Sequence, residues 1–507
     1  MYYKNHTTPF SVGEVFPPQE HYERVLRCKD NKKIFKGYQL ETFYKNSNRL
    51  HNYEDTLYIS ANLGGIIAKK SADFLFGEPI KVLAGLGDNT PEQKALDRFV
   101  ETNHLNILLY ESALSNAYSG DSFIRVRYGQ EYGGEMPHEL DPFRVIIEPI
   151  DSSYVFPQCS PVDRNKIVAF HVAIPYFDEE ENQWFLNVET HTAGQINYHQ
   201  YTVSPLYHDI NGEVERFNID GVVEGSFQLV KTGVPVPLIV HIPNLSTSES
   251  WEGQDDLTEL HPLLSEINNR LTQIASVLDK HADPALAVPS GVMTEGANGE
   301  AQFRVATDKV FEILGKEDIV PQYITFQSGL NEAFMELDKL ISLVLTLAEL
   351  PEVALGRGDS GTSGSSGLAI KWRMNSLLAK VNRKRQYYAK GLKQIFYIAQ
   401  KLEEVLGIAD YELTIPVLEF NDGLPQDEME QANIASIRTN GAKTMSQKTA
   451  IMKLNDMTEE QAEAEIERIR KEEEAQLGAT DTTFLNPSLD EDDPILAEEP
   501  FEEEVGV

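Results

Sequence analysis

Residues 329–350 read GLNEAFMELDKLISLVLTLAEL, residues 351–367 PEVALGRGDSGTSGSSG, and residues 368–407 LAIKWRMNSLLAKVNRKRQYYAKGLKQIFYIAQKLEEVLG. In the first segment Leu330, Phe334, Leu337, Ile341, Val344 and Ala348 fall alternately four and three residues apart. That spacing draws one apolar seam down an α-helix. The helix is expected to stop at Leu350-Pro351, because proline pushes its predecessor out of the α region. The glycine- and serine-rich run Gly356–Gly367 buries almost nothing and predicts a mobile hinge. The third segment predicts a helix from about Leu368 to Leu406, with Gly391 its weak point. At 1.5 Å per residue it would span roughly 60 Å, which suits a mechanical element better than the middle of a compact domain.

The whole chain has 507 residues, room for about three or four domains. Its 41% hydrophobic and 24% charged residues describe a soluble protein with material for real cores. No stretch approaches the ~18 apolar residues of a membrane span, and Met1–His6 lacks the apolar core of a secretory signal. Two cysteines, Cys28 and Cys159, exclude a disulfide framework or a cysteine-rich zinc site; intracellular synthesis is expected. Asp and Glu total 80 against 44 Lys and Arg, a formal net charge of −36. Such a surface repels nucleic acid and excludes a gripping binder, but not a smooth conduit through which DNA slides.

Outward from the hinge, the chain divides by hydrophobic period. Residues 1–60 are polar and show few periodic features. A helix is expected over Leu63–Phe76, ended by Gly77-Glu78-Pro79. A second opens at Pro91, breaks near Asn103 and ends by Gly120. From Ser122 the period switches to two, predicting strands at Phe123–Tyr128, Arg144–Ile147, Ile167–Ile174, Trp184–Val188, Ile196–Val203, Phe227–Val230 and Pro237–Ile242. The segment 122–243 is therefore a mostly antiparallel β region, and its His171, His191, His199 and His208 show no metal-ligand spacing. Helical period returns at Leu257, Leu260, Leu264, Ile267, Leu271, Ile274 and Leu278, with Pro262 tolerable in a first turn and Asp283-Pro284 as the stop. Short strands are expected at Leu286–Val288, Gln302–Val305, Lys309–Leu314 and Gln322–Phe326, and a strand-like run at Tyr411–Phe420. Short helices follow over Asp427–Gln476, and residues 478–507 are acidic enough to predict disorder. The fold class is α+β.

Catalytic signals are weak. Gly358-Asp359-Ser360-Gly361 matches the tetrapeptide around a serine-protease nucleophile, but no histidine sits in a matching setting. The loop lacks the lysine of a phosphate-binding GxxxxGK[ST], Arg357-Gly358-Asp359 reads as a chance adhesion tripeptide, and no paired-histidine zinc motif occurs. A basic cluster does stand out on the long helix: Lys371, Arg373, Lys380, Arg383, Lys384, Arg385, Lys390 and Lys393. It reads either as a solvated face pairing with acidic neighbours, or as positive charge bordering a channel.

Five motifs in order extend these elements into a resemblance. They are Asn62-Leu63-Gly64-Gly65-Ile66-Ile67-Ala68-Lys69-Lys70 with Phe76-Gly77-Glu78-Pro79; His241-Ile242-Pro243-Asn244 leading to Leu260-His261-Pro262-Leu263-Leu264; Ile274-Ala275-Ser276-Val277-Leu278-Asp279-Lys280-His281; Ser366-Gly367-Leu368-Ala369-Ile370-Lys371; and Phe420-Asn421-Asp422-Gly423-Leu424-Pro425. Over about residues 55–475 the chain resembles the portal proteins of tailed bacteriophages, in the group found with phages and prophages of Gram-positive hosts.

The resemblance implies a ring of usually twelve subunits at one capsid vertex, made in the host cytoplasm and carried in the virion. Residues 1–255 with part of 368–420 would form an α/β wing, and 256–283 and 328–350 the stem. Residues 284–327 would form a small β clip, 351–367 a tunnel loop, 421–477 a helical crown and 478–507 the tail. It also implies passage of double-stranded DNA without sequence specificity. Expected partners are the large terminase, major capsid and scaffolding proteins, and later the head-completion or neck proteins, with no cofactor, no metal, no membrane and no covalent catalysis. The loop residues expected at DNA are Arg357, Asp359, Ser360, Ser363, Ser365, Ser366 and Lys371. The expected stem interface is Leu264, Ile267, Leu271, Ile274, Leu278, Phe334, Leu337, Ile341 and Val344. Two other readings compete: a serine hydrolase using Gly358–Gly361, and an acidic scaffold or adaptor without a DNA channel.

Overall fold

The computed structural model describes residues 9–44, 58–85, 89–133, 135–208, 212–282, 330–357, 371–421, 428–441, 443–455, 457 and 459–481, with short strands at 286–287, 294–295, 301–302 and 322–323. The chain falls into two compact units, Met1–Pro425 and Gln426–Val507. Helix and strand content is mixed, as an α+β class requires.

The first unit opens with β1 (Val15–Phe16), α1 (Gln19–Lys36), α2 (Gln39–Tyr44), α3 (Leu63–Phe76), β2 (Lys81–Leu83), α4 (Pro91–Thr102) and α5 (Leu105–Ser119). Local chemistry sets the helix starts. Gly65 N donates to Asn62 Oδ1 at 2.9 Å ahead of α3, and Gln93 N to Thr90 Oγ1 at 3.3 Å with Pro91 opening α4, both ordinary N-caps. Helix α1 was not expected. Its buried positions are His21, Arg24, Val25, Cys28, Asn31 and Ile34, so polar side chains interrupt the apolar period. Hydrogen bonds offset their burial: Arg24 donates to Ser152 O and Val155 O at 2.8 and 2.6 Å, and Asn31 Nδ2 to Tyr118 O at 2.9 Å. The contact of α1 with α3 requires glycine at 64, where a Cβ would come within 2.9 Å of Ile34 Cγ2.

Eight strands follow: β3 (Asp121–Gly129), β4 (Arg144–Ile150), β5 (Val155–Ser160), β6 (Asp163–Asp178), β7 (Gln183–Thr192), β8 (Gln195–His208), β9 (Val214–Val222) and β10 (Gln228–Lys231), and then β11 (Ile239–Pro243). They build a sheet in the order β1-β9-β8-β7-β6-β5, with β10 beside β8, and a second in the order β11-β3-β4. Every pairing in both is antiparallel. Strands β5 and β9 were missed in the period-two reading. One face of the large sheet buries Ala173, Leu186, Val188, Tyr201 and Val203 against Phe10 and Phe16.

Beyond β11 come α6 (His261–Ala282), the pairs β12 (Leu286–Ala287) with β15 (Gln322–Tyr323) and β13 (Thr294–Glu295) with β14 (Ala301–Gln302), then α7 (Leu330–Leu347), α8 (Asn375–Leu406) and β16 (Val417–Glu419), which pairs with β2. The expected strand Lys309–Leu314 lies outside the described residues. Helix α8 has 32 residues, about 48 Å at 1.5 Å per residue, shorter than the span read from the sequence. Residues 371–373 are helical, but a turn at Met374 separates them from α8. Gly391 is a crossing point rather than a weak one. A Cβ there would sit 2.6 Å from the Ile242 side chain on β11.

The second unit holds α9 (Glu428–Ser436), a π turn at Ile437–Gly441, α10 (Gln447–Asn455) and α11 (Glu459–Asp481). Helix α11 continues through 478–481, residues assigned above to the tail; 482–507 lie outside the described residues.

Candidate functional site

Helices α6 and α7 pack on one another and on the core made by α3, α4, α5 and α8. On α6, Leu264, Ile267 and Ile274 are buried and Leu271 partly so, while Leu278 is exposed. On α7, Leu337 and Val344 are buried and Ile341 partly so, while Phe334 is exposed. The seam of α7 thus serves mainly its own chain's core. A second row escaped the sequence reading: Leu340, Leu343 and Leu347, spaced three and four apart. Leu340 is partly buried, but Leu343 and Leu347 are 42% and 52% exposed. The apolar stripe of α7 is wider than its own chain covers.

Helices α6 and α7 meet α8 at a charged junction. Asp256 lies just ahead of α6. Lys384 Nζ stands 2.6 Å from its Oδ2 and Lys380 Nζ 3.2 Å from its Oδ1, and Asn244 Nδ2 donates to Oδ1 at 3.0 Å. Burial alone would raise the Asp256 carboxyl; Lys380 and Lys384 overcome it and hold the group well below the usual carboxylate range. Burial pushes Lys384 down to about 8, against the pull of Asp256. Lys384 also donates to Ser71 Oγ at 2.6 Å on α3, and Lys380 to Ala348 O at 3.1 Å, at the end of α7. One residue on, Glu349 pairs with Arg383 at 2.6 Å. Asp256, Lys380, Lys384, Ala348, Glu349 and Arg383 line a cleft of about 400 Å³ between residues 244–260, the end of α7 and the start of α8. The arrangement ties α3, the end of α7 and the residues ahead of α6 to α8; its hydroxyl beside an amine, Ser71 Oγ with Lys384 Nζ, is buried, and Lys384 is held by Asp256.

The family model for phage portal proteins of the SPP1 Gp6-like type matches residues 18–478. The chain belongs to that family. No curated protein matches it. Portal proteins are structural, homo-oligomeric components of the virion capsid rather than a family of enzymes. Among the described residues no helix is long and apolar enough to cross a membrane, and no group of histidine, cysteine and carboxylate side chains is placed to hold a metal.

In this portal-family chain, Arg357 and Lys371 are exposed, on either side of residues 358–370, which lie outside the described residues. Asp359, Ser360, Ser363, Ser365 and Ser366 lie outside the described residues, and with them the hydrolase tetrapeptide Gly358–Gly361. The basic cluster divides. Lys371, Arg373, Lys390 and Lys393 are exposed, whereas Lys380 and Lys384 are buried, which corrects the reading of one solvated face. Arg385 donates to Phe74 O at 3.2 Å and also to Asn421 O, joining α8 to the end of α3. His171 and His191 are buried sheet residues bonded to Thr190 Oγ1 and Glu189 Oε2 at 3.0 and 3.3 Å.

Proposed function

We propose that copies of this chain assemble through the stem into a ring, usually of twelve, at one capsid vertex, and that double-stranded DNA passes through its centre. The observation that carries this reading is the uncovered row Leu343 and Leu347 beside the buried seam of α7. A cyclic ring needs a second helical face on each subunit, and this row supplies one. In this reading 1–255 with part of 368–420 is the wing, 256–283 and 328–350 the stem, 284–327 the clip, 351–367 the tunnel loop, 421–477 the crown and the remainder the tail. The clip docks the large terminase during packaging and the neck proteins afterwards, while the wing and crown meet capsid and scaffolding proteins. The net charge of −36 supports a conduit that repels DNA from its walls and leaves contact to exposed cations such as Arg357 and Lys371.

The test is Leu343→Asp with Leu347→Asp in the full chain. Both side chains are exposed in the single subunit, so the fold and its thermal midpoint should persist. Rings with an open centre should vanish from negative-stain images, and capsids assembled with this variant should hold little DNase-protected DNA. Normal rings from the doubly substituted chain would refute the interface.

A further inference from the structure

Helix α7 ends in a way its sequence does not favour. Leu350 N donates to Leu345 O at 2.9 Å and Glu349 N to Thr346 O at 3.1 Å. This bond pair closes a helix through one residue in the left-handed region. That residue is Glu349, with φ 56°, where glycine is the unstrained choice. Its carboxylate is gripped from another element: one Arg383 guanidinium nitrogen on α8 donates to both oxygens, at 2.6 and 2.7 Å. Beside the pair lies the cleft rimmed by Leu347, Glu349 and Arg383, which leaves the guanidinium room to swing away.

We propose that Glu349 and Arg383 form a latch. Helix α8 holds the end of α7 in a strained stop, and release of the ion pair lets Glu349 leave the left-handed region. The chain leaving α7 at Leu350-Pro351 is then re-aimed, and with it the short helical turn at Glu352–Leu355. A simple cap at this position would carry glycine and need no partner, and a simple surface ion pair would not sit on a strained residue. Strain held by a partner on a second element gives the turn a second arrangement to relax into when the partner lets go. Both side chains are about two-fifths exposed (40% and 43%), so dissolved ions reach the pair and compete for Arg383. The latch is built from contacts within one chain and stands whether or not the copies form a ring.

The experiment is amide hydrogen exchange at Leu350 in the full-length protein. Arg383→Gln should speed exchange there about tenfold, because Glu349 no longer holds the turn. In a Glu349→Gly background, where glycine adopts the left-handed turn unaided, Arg383→Gln should leave the rate within about twofold. Raising salt from about 0.05 M to about 1 M should reproduce the acceleration in the wild type and not in Glu349→Gly. Equal acceleration in both backgrounds, or none in either, overturns the latch. Arg383→Met, which keeps the aliphatic stem, serves the same comparison should the glutamine variant not fold.

Discussion

Asp256→Asn keeps the shape of the junction side chain and strips its charge from a site that two buried ammonium groups face. Lys380, Asp256 and Lys384 have side chains 10%, 8% and 6% exposed, so water supplies little compensation. Removing one partner of a buried pair costs about 3–5 kcal/mol, because the remaining charge is left uncompensated. Ser71 Oγ and Ala348 O still accept from the lysines, so the lower end, about 3 kcal/mol, is expected. At about 2–4 °C per kcal/mol for a large domain, the thermal midpoint at pH 7 should drop by about 6–12 °C. The pH dependence has a definite sign. Lys384 is lowered from 10.5 to about 8, so its burial cost is fully present below pH 8. The cost is relieved between pH 8 and 10.5, where the unfolded chain keeps a proton that the folded chain has released. Without Asp256 the attraction opposing this release is gone, and the relief begins at lower pH. The gap between variant and wild type should therefore narrow from pH 7 to pH 9, and Lys384→Met should recover part of the loss in the double variant. Thermal melts by circular dichroism at the two pH values decide it. A midpoint drop below about 2 °C at pH 7, or a gap that widens at pH 9, would refute the charged junction.

His21 on α1 is lowered from 6.5 to about 3 by burial, then by Arg24 and His171. Below pH 6.5 the unfolded chain takes a proton that the folded chain refuses, so stability should fall by about 1.4 kcal/mol per pH unit down to about pH 3. His21→Gln should flatten that acid limb in urea titrations, and an unchanged limb would assign it to other groups. Gly391→Ala should cost about 1–3 kcal/mol through the clash of α8 with Ile242, read as a lowered midpoint; an unchanged midpoint would mean that α8 does not cross β11 so closely. The acidic composition of 482–507 predicts that a chain ending at Asp481 keeps the wild-type thermal transition; a large loss of stability would refute that expectation.

Most helices and strands were legible because their signals are local. Pro91 and Pro262 mark helix starts, Gly77-Glu78-Pro79 marks a stop, and the switch to period two marks the antiparallel sheets, whatever lies around them. The seams of α6 and α7 were legible for the same reason, as was the resemblance to portal proteins. Helix α1 was hidden because its buried face is built from His21, Arg24 and Asn31, whose burial is tolerable only with acceptors far away in sequence, such as Ser152 O and Tyr118 O. The sequence did not tell that the seam of α7 packs into its own chain's core. Packing on α6 and the core of the first unit buries Leu337 and leaves Leu343 bare. Lys380 and Lys384 read as surface charge until Asp256, more than a hundred residues earlier, is placed between them. Glu349 read as one more helical residue, because its left-handed turn and its grip by Arg383 arise where two helices meet. Periodicity reports what a segment can bury; which face is buried, and which charges become partners, depends on contacts between distant segments.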